Sequence, residues 1–438
     1  MTTQPDLTCA RRTLANGLDV LVHEDHRVPQ VAVNIWYHVG SKNEQRGRTG
    51  FAHLFEHLMF EGSAHHNHGY FAPLQQAGGL VNGSTNADRT NYWEVVPTGA
   101  LDLALWMESD RMGHLLPALT AERFATQQGV VLNERRQNYE NRPYGLAVAA
   151  VAEALYPREH PYSWMTIGDA DDIRAMELAE VQAFYSRFYH PANASLTLAG
   201  AITADEGFAL AERYFGDLEP GPVPEPVTAP QPSVTARRLV LEDRVELPRH
   251  YVAWHTPAMF ANGDAEMDLA ADILANGRTS RLYRTLVFER RLALDVAAYQ
   301  ASREIGSYAL VVATVAPGRS VAEVDEAIRE AVAELGAAGP TEGELERSTV
   351  QAEAQFIYRL QTCGGFGGKS DQLNAYNVLT GDPGYFRADL ARYQQATVTG
   401  VREAVAAYCR PDRAITMTVV PRGQRELALP DAESVAVA

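Results

Sequence analysis

Apolar and polar residues alternate over Leu18–Val22 and Val31–Tyr37, which predicts strands with one buried face. Over Ala204–Phe215 and Val321–Leu335 the apolar residues instead recur every three to four positions, which predicts amphipathic helices. Strands and helices mix without strict alternation, so the expected class is α+β, with helices packed on one face of a mainly antiparallel sheet. Periodicity stops at Gly221–Ser233, GPVPEPVTAPQPS, whose five prolines predict an extended, semi-rigid linker. The text on either side of it repeats. Val181–Gly200 (VQAFYSRFYHPANASLTLAG) and Val401–Val420 (VREAVAAYCRPDRAITMTVV) align without gaps at an offset of 220 residues. In each, a helical pattern stops before a proline and a β-branched strand follows. Asn141–Gly145 falls opposite the glycine-rich Gly364–Gly368 at nearly the same offset. The expectation is two copies of one unit, residues 1–220 and 235–438, joined by a linker over 221–234.

A chain of 438 residues with 46% apolar and 21% charged residues has the composition of a folded protein with more than one core. Its formal net charge of −17, without any Lys/Arg run, excludes a sequence-independent nucleic-acid binder, which needs a basic stripe to neutralise phosphates. Cys9, Cys363 and Cys409 are widely spaced and cannot all pair within one chain, so a reducing compartment is expected and no Cys-type zinc spacing exists. Residues 1–12 lack the apolar stretch of a signal peptide, and no run approaches the roughly 18 apolar residues of a membrane-spanning helix. A cytoplasmic location is expected, or a periplasmic one if a leader has been removed.

The chemistry concentrates in Gly50–Phe60, GFAHLFEHLMF, which has helical spacing and no internal proline. His53 and His57 stand one turn apart on one face, where two imidazoles can share an ion, and Glu56 lies on nearly the same face. Two such residues can also decorate an ordinary amphipathic helix, and two protein ligands are too few for a catalytic zinc. A helix expected over Glu122–Glu140 supplies the third, Glu134, after the apolar triplet Val130-Val-Leu132.

HxxEH separated by 76 residues from a glutamate resembles the inverzincin signature of the pitrilysin, insulin-degrading enzyme and mitochondrial processing peptidase family. The likeness extends over essentially the whole chain through Gly40–Glu44, Phe60–Ser63, Val81–Thr85, Asn133–Gln137, Asn141–Gly145 and His160–Tyr162. It implies two homologous α/β-roll domains, the first carrying the metal, and a zinc metalloendopeptidase that cuts extended or unfolded peptides inside a clamshell chamber. His53, His57 and Glu134 would hold Zn²⁺, and Glu56 would be the general base acting on water. Gln127 stands where many relatives carry a second glutamate, and is expected to orient a ligating histidine through a hydrogen bond. Asn82, Gly83 and Ser84 resemble the family's substrate-binding edge strand, although Asn-Gly is also a turn signal. Thr90 and Tyr92 on the next strand would support that edge.

The segment Asp268–Arg281, opposite the HxxEH helix, has no histidine. Relatives that act alone supply an Arg and, seven residues later, a Tyr from this half; the aligned positions here are Val287 and Leu294. The resemblance therefore implies a heterodimer with a homologous non-zinc subunit that brings the pair, with Arg290, Arg291 or Tyr299 as substitutes, or a homodimer, as alternatives. The other class of function is a non-catalytic structural or interaction subunit of the same fold. Thr362–Lys369 is rich in glycine but lacks the spacing of a phosphate-binding loop. It is expected to be either a flexible border of the chamber or a plain interhelical connection, with Cys363 a free thiol.

Overall fold

The computed structural model describes residues 6–436. They form two six-stranded sheets, one from each half of the sequence. The first contains β1 (Ala10–Thr13), β2 (Asp19–Glu24), β3 (Gln30–Tyr37), β4 (Leu80–Thr85), β5 (Thr90–Pro97) and β6 (Ala194–Gly200), in the order β1-β2-β6-β3-β5-β4. All its pairings are antiparallel except β2 with β6. The second contains β7 (Arg237–Asp243), β8 (Arg249–Thr256), β9 (Ala293–Ala301), β10 (Ser307–Val315), β11 (Ile415–Pro421) and β12 (Glu433–Ser434), in the order β12-β7-β11-β8-β10-β9. The internal repeat is visible element by element. Helix Leu178–Phe188, a 3-10 turn at Pro191–Asn193 and β6 recur as helix Val398–Tyr408, a 3-10 turn at Pro411–Arg413 and β11.

The compact units are not the contiguous halves expected from the linker. The first takes in the chain up to Asn133, Trp164–Val227 and Gln355–Ala388; the second takes in Glu134–Ser163, Thr228–Ala354 and the chain from Asp389 onward. The reason is visible in β3 and β6, whose residues after Gln30 are buried at every position. A strand buried on both faces needs two covers. On one face Tyr37 packs edge-on against Tyr92 and tilted against Tyr189. On the other lies helix Lys369–Thr380, from the second half of the sequence. Here the Trp36 indole donates to Asp371 (2.8 Å), Thr197 donates to Asn374 (2.7 Å) and Asn377 donates to Ser195 (2.9 Å). Lys369 forms a buried pair with Asp25 at 2.5 Å. The second sheet is treated in the same way: Val252 and Trp254 of β8 face a core that includes Ile273, Ile328 and Val405, while helix Ala147–Leu155 packs against β8 and β11. The class is the expected α+β, and a helix from the opposite half of the sequence adds a cover to the other face of each sheet. Among the described residues no helix is long and apolar enough to cross a membrane.

One buried charge cluster stands out in the first unit. Arg111, 1% exposed, pairs with Glu108 and Glu94, and its guanidinium lies 4.0 and 4.1 Å from the ring centres of Tyr70 and Tyr92. Tyr70 donates to Glu94 at 3.1 Å. Burial and the neighbouring Glu108 push the Glu94 carboxyl well above its usual range, so the cation is what makes two buried acids tolerable here. Replacing Arg111 by Leu should cost about 3–5 kcal/mol of stability in chemical denaturation, because it strands buried carboxylates. Arg174→Ala, at an exposed pair with Asp171, should cost less than about 0.5 kcal/mol.

Candidate metal centre

The HxxEH helix spans Phe51–Leu58, and its apolar face (Phe51, Leu54, Phe55, Leu58) is buried. Phe55 sits among Phe184, Tyr185 and Tyr189. Its carbonyl also accepts a 3.1 Å hydrogen bond from the Tyr92 hydroxyl of β5. The helix begins at Gly50, in a left-handed conformation at φ 99°, where an added Cβ would come within 3.0 Å of the Ile167 carbonyl oxygen. Buried Glu44 closes that end by accepting from the N–H groups of Gly50 and Ala52, each at 2.9 Å. Burial pushes its carboxyl up to about 8 despite those donors. Glu44 was the last residue of the Gly40–Glu44 likeness, but the sequence offered no sign that it caps the HxxEH helix six residues on.

With the apolar face anchored, His53, Glu56 and His57 project from the other side. The two imidazole rings lie 4.9 Å apart, inclined at 74°. Glu134 is in the last turn of helix Ala121–Arg135, whose earlier residues belong to the first unit. Beyond Arg135 the coil widens into a π turn over Arg136–Glu140, so the expected helix to Glu140 is real but not uniform. One donor atom each from His53, His57 and Glu134 falls in a group with all members within 4.8 Å of one another. Two imidazoles and a carboxylate at such separations suit a zinc ion bonded at about 2 Å to each, with a position left over. Asn138 donates to Glu134 at 3.3 Å. Half-buried Glu56 lies close enough to Arg89 of the β4–β5 turn for its charge to help the guanidinium keep its proton against burial.

Gln127 is not placed as expected. It is buried, and its amide donates to Glu61 at 2.7 Å, not to a ligating histidine. Two helical turns before Glu134 amount to about 10 Å along the axis, which carries Gln127 past the imidazoles to the chain that leaves the HxxEH helix.

Asn82, Gly83 and Ser84 lie within β4, at the edge of the first sheet; the hairpin turn is made by Asn86, whose side chain accepts from the N–H groups of Asp88 and Arg89. Gly83 faces inward opposite Tyr92, and a Cβ there would meet Tyr92 at 3.0 Å and Phe60 at 3.1 Å. Asn82 is exposed, and the Ser84 hydroxyl donates to Asn91 at 2.7 Å. Thr90 donates to the Val39 carbonyl at 2.9 Å. The HxxEH helix packs against both β4 and β5, so the sheet edge runs beside the helix that carries His53 and His57.

In the second unit, helix Asp264–Ala275 carries no histidine. Val287 packs against that unit's core, and Leu294, 53% exposed, stands on β9. Arg290 pairs with Glu330 at 3.2 Å, Arg291 adopts a left-handed φ of 51°, and Tyr299 is exposed on β9. The glycine-rich loop is tied down at both ends in the first unit: Cys363 lies 3.6 Å from Asp25 and Lys369 2.5 Å from the same carboxylate. This favours the reading of a fixed connection.

Comparison with protein families matches residues 19–163 to Insulinase (Peptidase family M16) and residues 175–349 to the Peptidase M16 inactive domain. The chain belongs to peptidase family M16. The zinc protease PqqE of Helicobacter pylori is 28% identical over 381 residues, covering 86% of this chain and 85% of that protein. The crystal structure of a protease from Helicobacter pylori superposes with a TM-score of 0.88 at 26% identity, over 95% of this chain and all of the other. A peptidase M16 inactive domain from Pseudomonas fluorescens shares the fold with a TM-score of 0.84 at 19% identity, over 95% and 98% of the two chains. His53, His57 and Glu134 all fall within the family match over residues 19–163.

His57→Ala and Glu134→Gln should each remove one tightly held zinc per chain by elemental analysis. Glu44→Ala, which frees the start of the helix, should weaken zinc about 10- to 100-fold in competition with a chelator. Gly83→Val should lower stability by about 1–3 kcal/mol through the clash with Tyr92 and Phe60.

Proposed function

We propose that this M16 chain is a zinc metalloendopeptidase acting on extended or unfolded peptides. The observation that carries the reading is the convergence of His53, His57 and Glu134 beside Glu56, next to an unpaired strand edge. When bound there, zinc supplies a Lewis acid that polarises the scissile carbonyl and makes water more acidic. Glu56 takes the proton from that water as it attacks and delivers it to the leaving amine. Glu134 contributes the negative charge that two neutral imidazoles lack. β4 offers its free backbone N–H and C=O groups to a peptide, which adds as a further strand; Asn82 reaches the peptide from the exposed side. Edge pairing needs an unfolded backbone, which is why folded proteins make poor substrates.

The transition-state oxyanion needs a hydrogen-bond donor, and neither the Val287 nor the Leu294 side chain has one. This supports a two-subunit enzyme in which a homologous chain without the zinc triad brings the Arg/Tyr pair. It also favours the second reading, a non-catalytic subunit of the same fold, which the match of residues 175–349 to an inactive domain accommodates.

Glu56→Gln should keep the zinc of the wild type while kcat on a quenched peptide falls about 10²- to 10⁴-fold; near wild-type turnover would eliminate Glu56 as the base. Adding a homologous subunit that carries the Arg/Tyr pair should raise kcat about 10²- to 10³-fold over the chain alone. Full activity of the purified chain would contradict the two-subunit proposal, and zinc without any chelator-sensitive cleavage in the paired form would favour the non-catalytic reading.

A further inference from the structure

A second group of metal-binding side chains lies outside the HxxEH centre. The chain leaving the HxxEH helix runs as a loop through Ser63-Ala-His65-His66 before reaching Tyr70. It lies against the end of helix Leu101–His114, where the Ala64 N–H donates to the His114 carbonyl at 2.9 Å. His65 from the loop meets Asp110 and His114, one turn apart on the helix, and one donor atom from each lies within 4.8 Å of the others. The rings of His65 and His114 are edge-on with centres 4.9 Å apart. Asp110 is 4% exposed and is fixed from the loop side: the Ser63 hydroxyl and the His65 N–H donate to one oxygen, while His65 Nδ1 lies 2.5 Å from the other.

We propose that His65, Asp110 and His114 form a second site for Zn²⁺ or a chemically similar ion such as Co²⁺ or Ni²⁺, which staples the 63–70 loop to the end of helix Leu101–His114. Three physical points converge on it. Two imidazoles with one carboxylate suit borderline transition metals and not Ca²⁺ or Mg²⁺, which take oxygen donors. The carboxylate is buried and already oriented, while both imidazoles are exposed and each offers a ring nitrogen. The site is at a helix C-terminus, where unsatisfied carbonyls favour a cation. Binding displaces the hydrogen shared by His65 Nδ1 and Asp110. The exposed ligands leave the ion open to exchange, so it is held more weakly than one bound by His53, His57 and Glu134. The staple acts on the stretch that follows Glu61, the partner of Gln127, and so stiffens the exit of the HxxEH helix.

The inference does not rest on peptidase activity, and its test reads metal directly. The full chain is titrated with Zn²⁺ alone, and bound metal is counted after desalting and by calorimetry. Wild type should take two equivalents, Glu134→Gln one, His114→Ala one, and the double variant none; His65→Ala should weaken the second equivalent at least tenfold. In the Glu134→Gln background Zn²⁺ should raise the melting temperature, and His114→Ala should abolish that rise while leaving the metal-free circular dichroism unchanged. A single equivalent in wild type that Glu134→Gln removes, or two equivalents retained in His114→Ala, would overturn the proposal.

Discussion

A zinc ion held by side chains needs three donors at one point, and a single helical turn supplies two. The proposed centre meets that shortage with Glu134. His53 and His57 acquire a partner because the HxxEH helix is fixed at its start by Glu44 and Gly50, under its middle by the Tyr92 hydroxyl, and along its apolar face by Phe55 among Tyr185 and Tyr189. A helix of eight residues would be marginal on its own, so these anchors, and not its intrinsic propensity, decide where its polar face points. Glu134 then needs only to arrive at the end of its own helix.

The same economy explains the cost of the surrounding core. Tyr92 reaches the helix from β5, and the ring that positions its hydroxyl also lies against Arg111. The buried Arg111–Glu94–Glu108 cluster therefore sits directly behind the HxxEH helix. A buried ion network adds little net stability compared with an apolar core, but its geometry is intolerant of substitution. The second face of the sheet is sealed in a related manner, with Asn374, Asn377 and Lys369 making directional contacts where leucines would have made adaptable ones.

That choice of residues also set what could be read from the sequence. The HxxEH helix was legible because apolar and ligating residues follow one period, and Glu134 because an apolar triplet precedes it. The repeat was legible because helix, proline and strand recur at one offset. Helix Lys369–Thr380 was not legible as a cover for the first sheet, since the residues that bond the sheet, Asp371, Asn374 and Asn377, are polar and its pattern resembles a solvated face. Gln127 was assigned to the right helix and the wrong neighbour, because spacing gives a face but not the distance along the axis to what lies opposite. Asn82-Gly83 resembles an edge strand but also carries a turn signal. Tyr92 and Phe60, which occupy the space a side chain would need, decide for the strand. His65, Asp110 and His114 carry no joint signal, since the loop and the helix that bring them together are far apart in the chain.

The central claim is that one zinc ion joins the HxxEH helix to Glu134. Anomalous diffraction at the zinc edge from crystals of the zinc-loaded chain measures this directly. The account predicts a strong peak about 2 Å from a nitrogen of His53, a nitrogen of His57 and a carboxylate oxygen of Glu134. Zinc density elsewhere in the crystal with none bonded to these three residues would contradict it.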